Sequence, residues 1–371
     1  MQKDNADSCD CDTKTARNVL NIGLSISESG ESVKQGMGMG RVLILTDGKA
    51  GHENQSKAFA RALGCEYDLV EVHFRSKFHK ALSYLLDRVG VRTISLLRGE
   101  ADSCPLQNKD GSIFTSGQET ASPFLAVIGT GSGTFYAAKA MARKLGVKCG
   151  VVLYPRGYDI ASFDCVLAPA FDRPKSAVNV IEIPANLVAN DEAFYEKGVE
   201  AFLKCSNVRM NECSNAVAVI VGGPNKCSTM TPEWMKTQLD AIFNSNNQTF
   251  EHSNIQYWVT TSRRTPPAVE AVVDSYPWDY KLLYSKDHFN PIPAFVKLAK
   301  KLYVTAESTG MISESCTFGT AEVIALDNLS PGPHKFRRFV KDLRKGGYVD
   351  GNRKVDLSTQ FARAKGLMGL S

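Results

Sequence analysis

Short apolar runs alternate with amphipathic stretches from about residue 41 to residue 326. Apolar runs bounded by glycine or polar residues are typical of buried parallel strands, whereas apolar positions three and four residues apart predict helices. The predicted strands are 41–46, 68–74, 124–128, 148–153, 165–168, 178–183, 216–221, 256–260, 281–284, 302–305 and 321–326. Helices are predicted at 54–63, 134–145, 191–204, 311–318 and 336–343. Two more are predicted to begin after Thr231 and Thr265, because each threonine can cap a helix and is followed by proline.

The order of strands and helices is interrupted near 205–214 and restarts at 216. Two successive series of this kind predict an α/β fold with two Rossmann-like, doubly wound parallel sheets that face a cleft, as in GT-B proteins. A cleft between two such domains is the default place for a ligand. The expected parts are listed in chain order: a disordered extension at 1–40, a first domain at 41–205 with a polar loop at 99–122, a second domain at 206–330, and a basic helix with a polar tail at 331–371.

Composition and charge exclude several classes of protein. With 371 residues, of which 43% are hydrophobic and 22% charged, the chain has room for two cores. No apolar run approaches the ~18 residues of a membrane span, and the N-terminus resembles neither a secretory signal nor a transit peptide. A net charge of +5 does not indicate nucleic-acid binding but is compatible with an anionic ligand or membrane surface.

The ten cysteines are scattered, and none forms a Cys-x-x-Cys pair or belongs to a zinc-binding pattern. Cys149, Cys165 and Cys316 lie in apolar runs and are expected to pack as small hydrophobic residues. Cysteine usage of this kind suits a reducing compartment, so a cytoplasmic protein is expected. No bound metal is predicted.

The loop after the first predicted strand carries the most informative pattern in the chain. Its glycines allow a close approach of the backbone, the following helix N-terminus offers N–H groups to an anion, and its histidine can transfer a proton. A solvated loop with a chance histidine is the alternative, but further glycine loops downstream favour a site. The candidate residues of this loop are Asp47, Gly48, Gly51, His52, Asn54 and Gln55.

Three further loops follow predicted strands. Gly131 and Ser132 lie in a Gly-Thr-Gly-Ser-Gly-Thr run, which lacks the full dinucleotide-binding fingerprint. Gly222, Gly223 and Lys226 follow a fully apolar strand. The third loop contains Ser262, Arg263 and Arg264, and arginines beside helix N–H groups suit phosphate. Adjacent residues rarely both point inward, so Arg263 is favoured over Arg264, and a solvated basic loop is the alternative.

The strongest pattern in the second half joins the strand at 302–305 to a short helix. Its hydroxyls and N–H groups suit a diphosphate, and a carboxylate one turn further suits the hydroxyls of a ribose; a surface glutamate on an ordinary helix is the alternative. The candidate residues are Ser308, Thr309, Gly310, Met311, Ser313 and Glu314.

Four of these segments resemble the mitochondrial-fission "elongated mitochondria" family: 46–55, 222–226, 260–267 with its Thr-Ser-Arg-Arg-Thr-Pro-Pro run, and 305–314. The resemblance extends from about Arg41 to Leu326, and the histidine-bearing first loop looks like the bacterial branch, whose members are regarded as candidate glycosyltransferases. More remotely, the layout is similar to GT-B glycosyltransferases of the peptidoglycan lipid-intermediate type. The chain departs from these patterns at Gly319-Thr320-Ala321, where a proline is usual, and at Ala170-Phe171, where an acidic-histidine pair is usual.

The resemblance implies a metal-independent, inverting glycosyltransferase whose substrate is a nucleotide-diphosphate sugar, with no other cofactor. By this resemblance His52 matches a catalytic base, with Asp47 as the other candidate; Gly222 and Gly223 match the donor loop; and Ser308, Gly310, Met311 and Glu314 match the diphosphate and ribose site. A lipid-linked acceptor is a candidate partner. Two alternatives stay open: a non-catalytic, membrane-peripheral adaptor that recruits a division or fission protein, and a nucleotide-sugar epimerase.

Two basic segments are the sequence basis for a peripheral membrane location. One is the helix predicted at 336–343, with Arg337, Arg338 and Lys341. The other is the amphipathic stretch 78–98, where the apolar residues of one face are Phe78, Ala81, Leu82, Leu85 and Val89 and the basic residues are His79, Lys80, Arg88, Arg92 and Arg98. A solvated face packed on the domain is the alternative for both segments.

Overall fold

The computed structural model describes residues 40–98, 122–249 and 255–370. The expected disordered extension, apart from Gly40, and nearly all of the expected polar loop at 99–122 lie outside the described residues. The described strands are β1 Arg41–Thr46, β2 Glu66–Glu71, β3 His73–Phe74, β4 Leu97–Arg98, β5 Ala126–Thr130, β6 Lys148–Val152, β7 Cys165–Pro169, β8 Val180–Ile183, β9 Ala216–Ile220, β10 Gln256–Thr260, β11 Tyr280–Leu282, β12 Lys301–Thr305 and β13 Glu322–Leu326.

The helices lie between these strands and after the last one. They are α1 Ala50–Leu63, α2 Lys77–Arg88, α3 Phe135–Leu145, α4 Glu192–Cys205, α5 Pro232–Thr249, α6 Pro267–Asp274, α7 Ile292–Leu298, α8 Thr309–Thr317, α9 Lys335–Lys345 and α10 Ser358–Met368. Short 3-10 helices occur at Ile94–Leu96, Ile160–Ser162, Ala170–Asp172 and Met210–Asn215. No helix in this part of the chain is long and apolar enough to cross a membrane.

The strands form two parallel sheets. The first has the order β2-β1-β5-β6-β7-β8 and the second the order β11-β10-β9-β12-β13. The order reverses beside the first strand of each series, between β1 and β5 and between β9 and β12. In open α/β sheets ligands bind at such switch points, outside the carboxyl ends of the strands. The predicted α/β fold with two Rossmann-like, doubly wound sheets is therefore confirmed, and its topology marks two loop regions for ligands.

Alternate residues of the central strands enter different cores, because successive side chains of a strand point to opposite faces. In β1, Val42 and Ile44 pack with Phe59 of α1, whereas Leu43 and Leu45 pack with Tyr136 of α3. Both faces of the sheet are therefore covered by helices, which explains why β1 has an unbroken apolar run rather than an alternating one.

Two helices pack on a half of the molecule that the expected domain bounds do not assign to them. In α4, Gly198 lies so close to α7 that a Cβ on it would be 2.5 Å from Pro293 Cβ. In α10, Met368 is buried, and its Cε lies 3.1 Å from where a Cβ on Gly150 of β6 would be. The expected boundary at 205/206 falls after α4, and the expected polar tail contains α10.

The basic helix α9 also returns to the first half. Phe339 packs edge-to-face on Phe171 with ring centroids 5.2 Å apart, Arg338 Nε donates to the Phe171 carbonyl at 3.1 Å, and Arg173 forms an ion pair with Asp342. Its apolar residues Phe339, Val340 and Leu343 are buried. These contacts account for this basic segment without a membrane.

Three local predictions are corrected. The strand predicted at 68–74 ends at Glu71, and β3 leaves the sheet to pair antiparallel with β4. Helix α1 begins at Ala50 rather than residue 54, two residues after Gly48, whose φ of +74° turns the chain. Thr265 does not cap α6, because its hydroxyl donates to the Gly222 carbonyl at 2.6 Å and the loop is tied to the neighbouring strand end instead.

Candidate functional site

A cavity of about 700 Å³ lies between the two halves, at the carboxyl ends of β1, β5 and β6. Its first-half wall includes the start of α1 and the loop after β5, and its second-half wall includes the start of α8. The candidate residues from the sequence that line it are Gly51, His52, Asn54, Gln55, Gly131, Ser132, Thr309, Gly310 and Glu314. The structure thus brings together residues from three of the predicted loops.

His52, on the first-half wall, forms a hydrogen-bonded pair with Asp47, which is not itself a lining residue. His52 lies in the first turn of α1, and its Nδ1 is 2.9 Å from Asp47 Oδ1 and 3.1 Å from Asp47 Oδ2. The Asp47 side chain is 6% exposed and the His52 side chain 25%. Because an ionised carboxylate can only accept, Nδ1 carries the proton in the neutral ring and Nε2 keeps its lone pair.

Burial of the Asp47 carboxyl opposes its ionisation, but hydrogen bonds and charge from Lys49 and His52 outweigh burial and hold its pKa below the ordinary range. An ionised Asp47 fixes the tautomer and the orientation of the imidazole. The same division of roles between a carboxylate and a histidine is used where histidine acts as a general base.

The glycines of the loop after β5 make room for this pair. Gly131 has a φ of +84°, and a Cβ on it would lie 2.4 Å from His52 Cε1. A Cβ on Gly133 would lie 2.8 Å from Asp47 Cβ. The backbone of this loop therefore lies directly against His52 and Asp47. Ser132 lines the cavity and accepts a hydrogen bond from Lys80 Nζ at 2.9 Å.

Gln55 is the most buried polar residue of α1 that faces the cavity. The residue is 9% exposed, and its side-chain oxygen Oε1 has no hydrogen-bond partner among the described residues. Unpaired buried polar atoms are rare and costly, so an unpaired acceptor in a residue that lines the cavity is a candidate partner for a ligand donor.

Glu314 reaches the cavity from α8. Its Oε1 accepts a hydrogen bond from Tyr195 Oη at 2.8 Å, and burial raises its pKa although this hydrogen bond acts in the opposite direction. Ser313, one residue earlier, donates to the Thr309 carbonyl at 2.7 Å and accepts from the Asn186 backbone N–H at 3.1 Å. Its hydroxyl therefore connects α8 to the segment that joins the two halves, while Met311 packs half-buried against the core.

The remaining candidates meet at the switch point of the second sheet. Buried Glu307 accepts hydrogen bonds from Gly223 N–H at 2.8 Å, Thr305 Oγ1 at 3.1 Å and Asn328 Nδ2 at 2.7 Å. The Gly222 N–H donates to Thr305 Oγ1 at 2.9 Å. The loops after β9, β12 and β13 are thus held by one carboxylate, which the sequence pattern did not single out.

Several predicted residues do not line the described cavity wall. Arg263 is exposed, Gly222 and Gly223 contact neighbouring loops, and Ser262 accepts from the Arg264 N–H at 3.2 Å. Lys226 and Ser308 are likewise not among the lining residues, and Gly48 lies beside Glu71. The structure brings these residues to the edges of the two sheets but not into the cavity.

The cavity also has lining residues that no motif indicated. They include the segment 186–190, Leu153, Tyr154 and Arg156 after β6, Asp172, and Lys335 at the start of α9. Leu153 has a φ of +73°, which is rare for a bulky residue and is typical of functional or strained positions. Their common signal is position, since most follow a strand of the first sheet directly. Lys335 had no such signal because α9 arrives from the far end of the chain.

Two Rossmann-like parallel sheets with a cleft between them define a protein of the GT-B-like class. Within that class, the sequence profile of the family described as "Mitochondrial fission ELM1" matches residues 50–360, and the chain belongs to this family. No curated protein matches the chain in sequence.

Solved structures with similar architecture include sugar-nucleotide enzymes. UDP-GlcNAc 2-epimerase from Neisseria meningitidis bound to UDP-GlcNAc has a TM-score of 0.44 and 10% identity, covering 89% of this chain and 98% of that one. Phytolacca americana UGT2 complexed with UDP-2fluoro-glucose and pterostilbene has a TM-score of 0.43 and 10% identity, covering 90% of this chain and 94% of that one. The glycosyltransferase SnogD from Streptomyces nogalater has a TM-score of 0.41 and 12% identity, covering 89% of this chain and 95% of that one. Likeness of this degree says nothing of the substrate.

Proposed function

We propose that this protein transfers a sugar from a nucleotide-diphosphate sugar to an acceptor hydroxyl in the cleft. The observation that carries the proposal is the Asp47–His52 pair, which faces a cavity whose opposite wall is the N-terminus of α8. A base on one wall and helix N–H donors on the other are the two groups that this reaction needs.

In the proposed reaction, His52 Nε2 takes the proton from the acceptor hydroxyl as its oxygen bonds to the anomeric carbon. The bond from that carbon to the diphosphate oxygen breaks, and the nucleoside diphosphate leaves with the bonding electrons. The backbone N–H groups at Thr309 and Gly310 stabilise the charge on the departing diphosphate, with the cations of Arg156 and Lys335 in the same cavity. Asp47 stabilises the imidazolium.

The donor contacts are proposed on the second half. Glu314 is assigned to the ribose hydroxyls, because this half-buried residue places a carboxyl one turn inside the helix whose start faces the cavity. Gly222, Gly223, Lys226, Ser262, Arg263, Ser308, Met311 and Ser313 remain proposed as donor-side residues on the family resemblance and on their place at the sheet edge. Gln55 and Asn54 are assigned to the acceptor side.

The first test is binding. A panel of UDP, GDP and ADP, each with its sugar conjugates, should include a ligand that raises the melting temperature of the full chain, because a ligand that binds only the folded state stabilises it. If no nucleotide in the panel shifts the melting temperature or binds in calorimetry, the proposal fails.

The second test is turnover, measured as release of the nucleoside diphosphate. His52→Gln should lower this rate by about 10²–10⁴-fold, the usual loss for a general base, and leave nucleotide binding unchanged. His288→Gln, an exposed histidine of the second half, is the matched control and should keep the wild-type rate. Equal rates for His52→Gln and wild type would assign the base to another residue.

A second candidate function is suggested by the family's description, which concerns mitochondrial fission. An adaptor in fission or division would need a surface and no proton acceptor. His52→Gln again separates the two, because an adaptor would keep its partner binding while no nucleotide sugar was turned over. An epimerase would convert the nucleotide sugar without release of the nucleoside diphosphate.

A further inference from the structure

Helix α2 exposes one row of apolar side chains to solvent, while Leu82, Tyr84 and Leu86 are half-buried and pack against the core. Phe78 is 70% exposed, Leu85 59% and Val89, directly after the helix, 66%. Together with exposed Ala81 they follow a helical spacing and form one continuous row, which we call the α2 stripe. Large exposed apolar residues in a row are unusual for the surface of a monomer and mark interaction sites.

The opposite face of α2 is held in place by polar contacts that prevent the helix from rolling inward. Buried Lys139 of α3 donates to Asp87 Oδ1 at 2.8 Å and to Asp87 Oδ2 at 2.9 Å, and Ser83 Oγ is 3.0 Å from Tyr158 Oη. Turning the α2 stripe into the core would expose or break a buried ion pair, which is strongly unfavourable. The stripe therefore faces outward as a fixed feature of the fold.

The surroundings of the α2 stripe are basic. Across residues 75–98 the chain has six lysines or arginines and a single acidic residue, Asp87, which is the buried partner of Lys139. Four of the cations are exposed: Arg75, Lys77, Arg88 and Arg98. A second copy of this face would bring like charges together, because a twofold contact pairs a patch with itself. The charge complement of this surface is anionic.

Helix α2 also borders the cleft. Tyr84 lines the cavity and stacks on Tyr158 with ring centroids 4.4 Å apart. Lys80 reaches Ser132 on the cavity wall. A surface that binds the α2 stripe would therefore lie beside the mouth of the candidate active site.

We propose that the α2 stripe and its flanking cations dock on an anionic lipid surface, with the apolar side chains at the headgroup–acyl boundary. The docking depends on α2 alone and requires no sugar transfer. That the membrane also presents the acceptor rests on the proposed transferase activity. Helix α9 is basic as well but exposes no comparable apolar row, since Phe339, Val340 and Leu343 are buried and Phe336 is half-buried.

The test is co-sedimentation of the full chain with phosphatidylcholine vesicles, with and without phosphatidylserine, in the absence of nucleotide. The wild type should bind the anionic vesicles and lose binding as salt is raised. Phe78→Ser with Leu85→Ser should lower the fraction bound by about tenfold or more. The control is Val178→Ser with Met210→Ser, two exposed apolar residues elsewhere, which should bind as the wild type does.

Charge is tested separately. Lys77→Glu with Arg88→Glu should lower binding by about tenfold or more, whereas Lys341→Glu with Lys345→Glu on α9 should leave it unchanged. All variants should keep the wild-type melting temperature, since the changed side chains are exposed.

Three results would overturn the proposal. The wild type does not bind anionic vesicles at low salt, the α2 variants bind them as well as the wild type does, or the α9 charge variant loses as much binding as the α2 charge variant. A stripe that instead holds two copies of the chain together, seen as a dimer that the Phe78→Ser, Leu85→Ser protein loses, would also overturn it. Nucleotide binding is measured on the same proteins, so that failure of docking and failure of the proposed transfer are distinguished.

Discussion

At the scale of single residues, Glu314, the proposed ribose-binding residue, has a stability cost. Its carboxyl is buried against Tyr195, and burial raises its pKa above the ordinary value of 4.5. A carboxyl whose pKa is higher in the folded than in the unfolded state loses stability as the pH rises through the folded pKa. Wild-type protein should therefore be less stable at neutral pH than below pH 4.5 as far as this group is concerned.

Glu314→Gln should remove this cost. The variant should melt above the wild type at neutral pH, and the difference should disappear as the pH falls below about 4.5, because both proteins then have a neutral side chain. Affinity for a nucleoside diphosphate should fall about tenfold or more through loss of a charged hydrogen bond. Thermal melts across pH and calorimetry measure the two effects; a variant that binds nucleotide as the wild type does would refute the ribose assignment.

At the scale of elements, the loop after β5 positions the residue proposed as the base. Gly131→Ala should push the His52 ring aside, since the new Cβ would lie 2.4 Å from Cε1 and the φ of +84° is strained for alanine. Turnover should fall by about tenfold or more, with about 1–2 kcal/mol lost in the free energy of unfolding. Gly146→Ala has the same type of strain, with a φ of +66°, but no neighbour within 4 Å, so it should lose similar stability and keep full turnover.

Glu307 holds three strand ends of the second sheet together. Glu307→Ala would leave the Gly223 N–H and the Asn328 amide without their acceptor, and should lower the free energy of unfolding by about 2–4 kcal/mol. Glu307→Gln should cost less than about 1 kcal/mol. Its oxygen still accepts from Gly223, and the Asn328 amide can turn to offer Oδ1, which has no partner among the described residues. Denaturant unfolding of both variants checks this order, and equal losses would contradict it.

At the scale of the whole molecule, the last helix belongs to the first sheet. Met368 of α10 is buried against β6, whose Gly150 leaves room for it and for Phe59. Met368→Ala should therefore lower the free energy of unfolding by about 2–5 kcal/mol, as large-to-small core substitutions do. Thr359→Ala on the exposed face of α10 should change it by less than about 0.5 kcal/mol. A thermal melt shows whether Met368→Ala behaves like the exposed control, which would contradict a core role.

The local patterns were sufficient for the strands of both sheets and for candidate residues on both walls of the cavity, but not for α7 and α10, which no pattern predicted. Apolar runs such as Val42–Leu45 are determined by burial on both faces of a parallel sheet, and a glycine loop after such a strand is readable because strand ends carry ligand sites. These patterns led to His52, Gly131 and Glu314, which the tertiary structure brings to one cavity.

What the sequence by itself determined is therefore the α/β class, the two sheets and the loops at their carboxyl edges, because these depend on periodicity and on neighbours in the chain. The tertiary structure alone decided the rest. Asp47 is the partner of His52 because both lie against the loop of Gly131 and Gly133. Helices α9 and α10 return to the first half through contacts far apart in sequence. The α2 stripe points outward while Leu82 beside it packs against the core, because Asp87 on the other face is paired with Lys139 from α3. Hydrophobic periodicity shows that a helix has an apolar face but not how much of it the fold will bury.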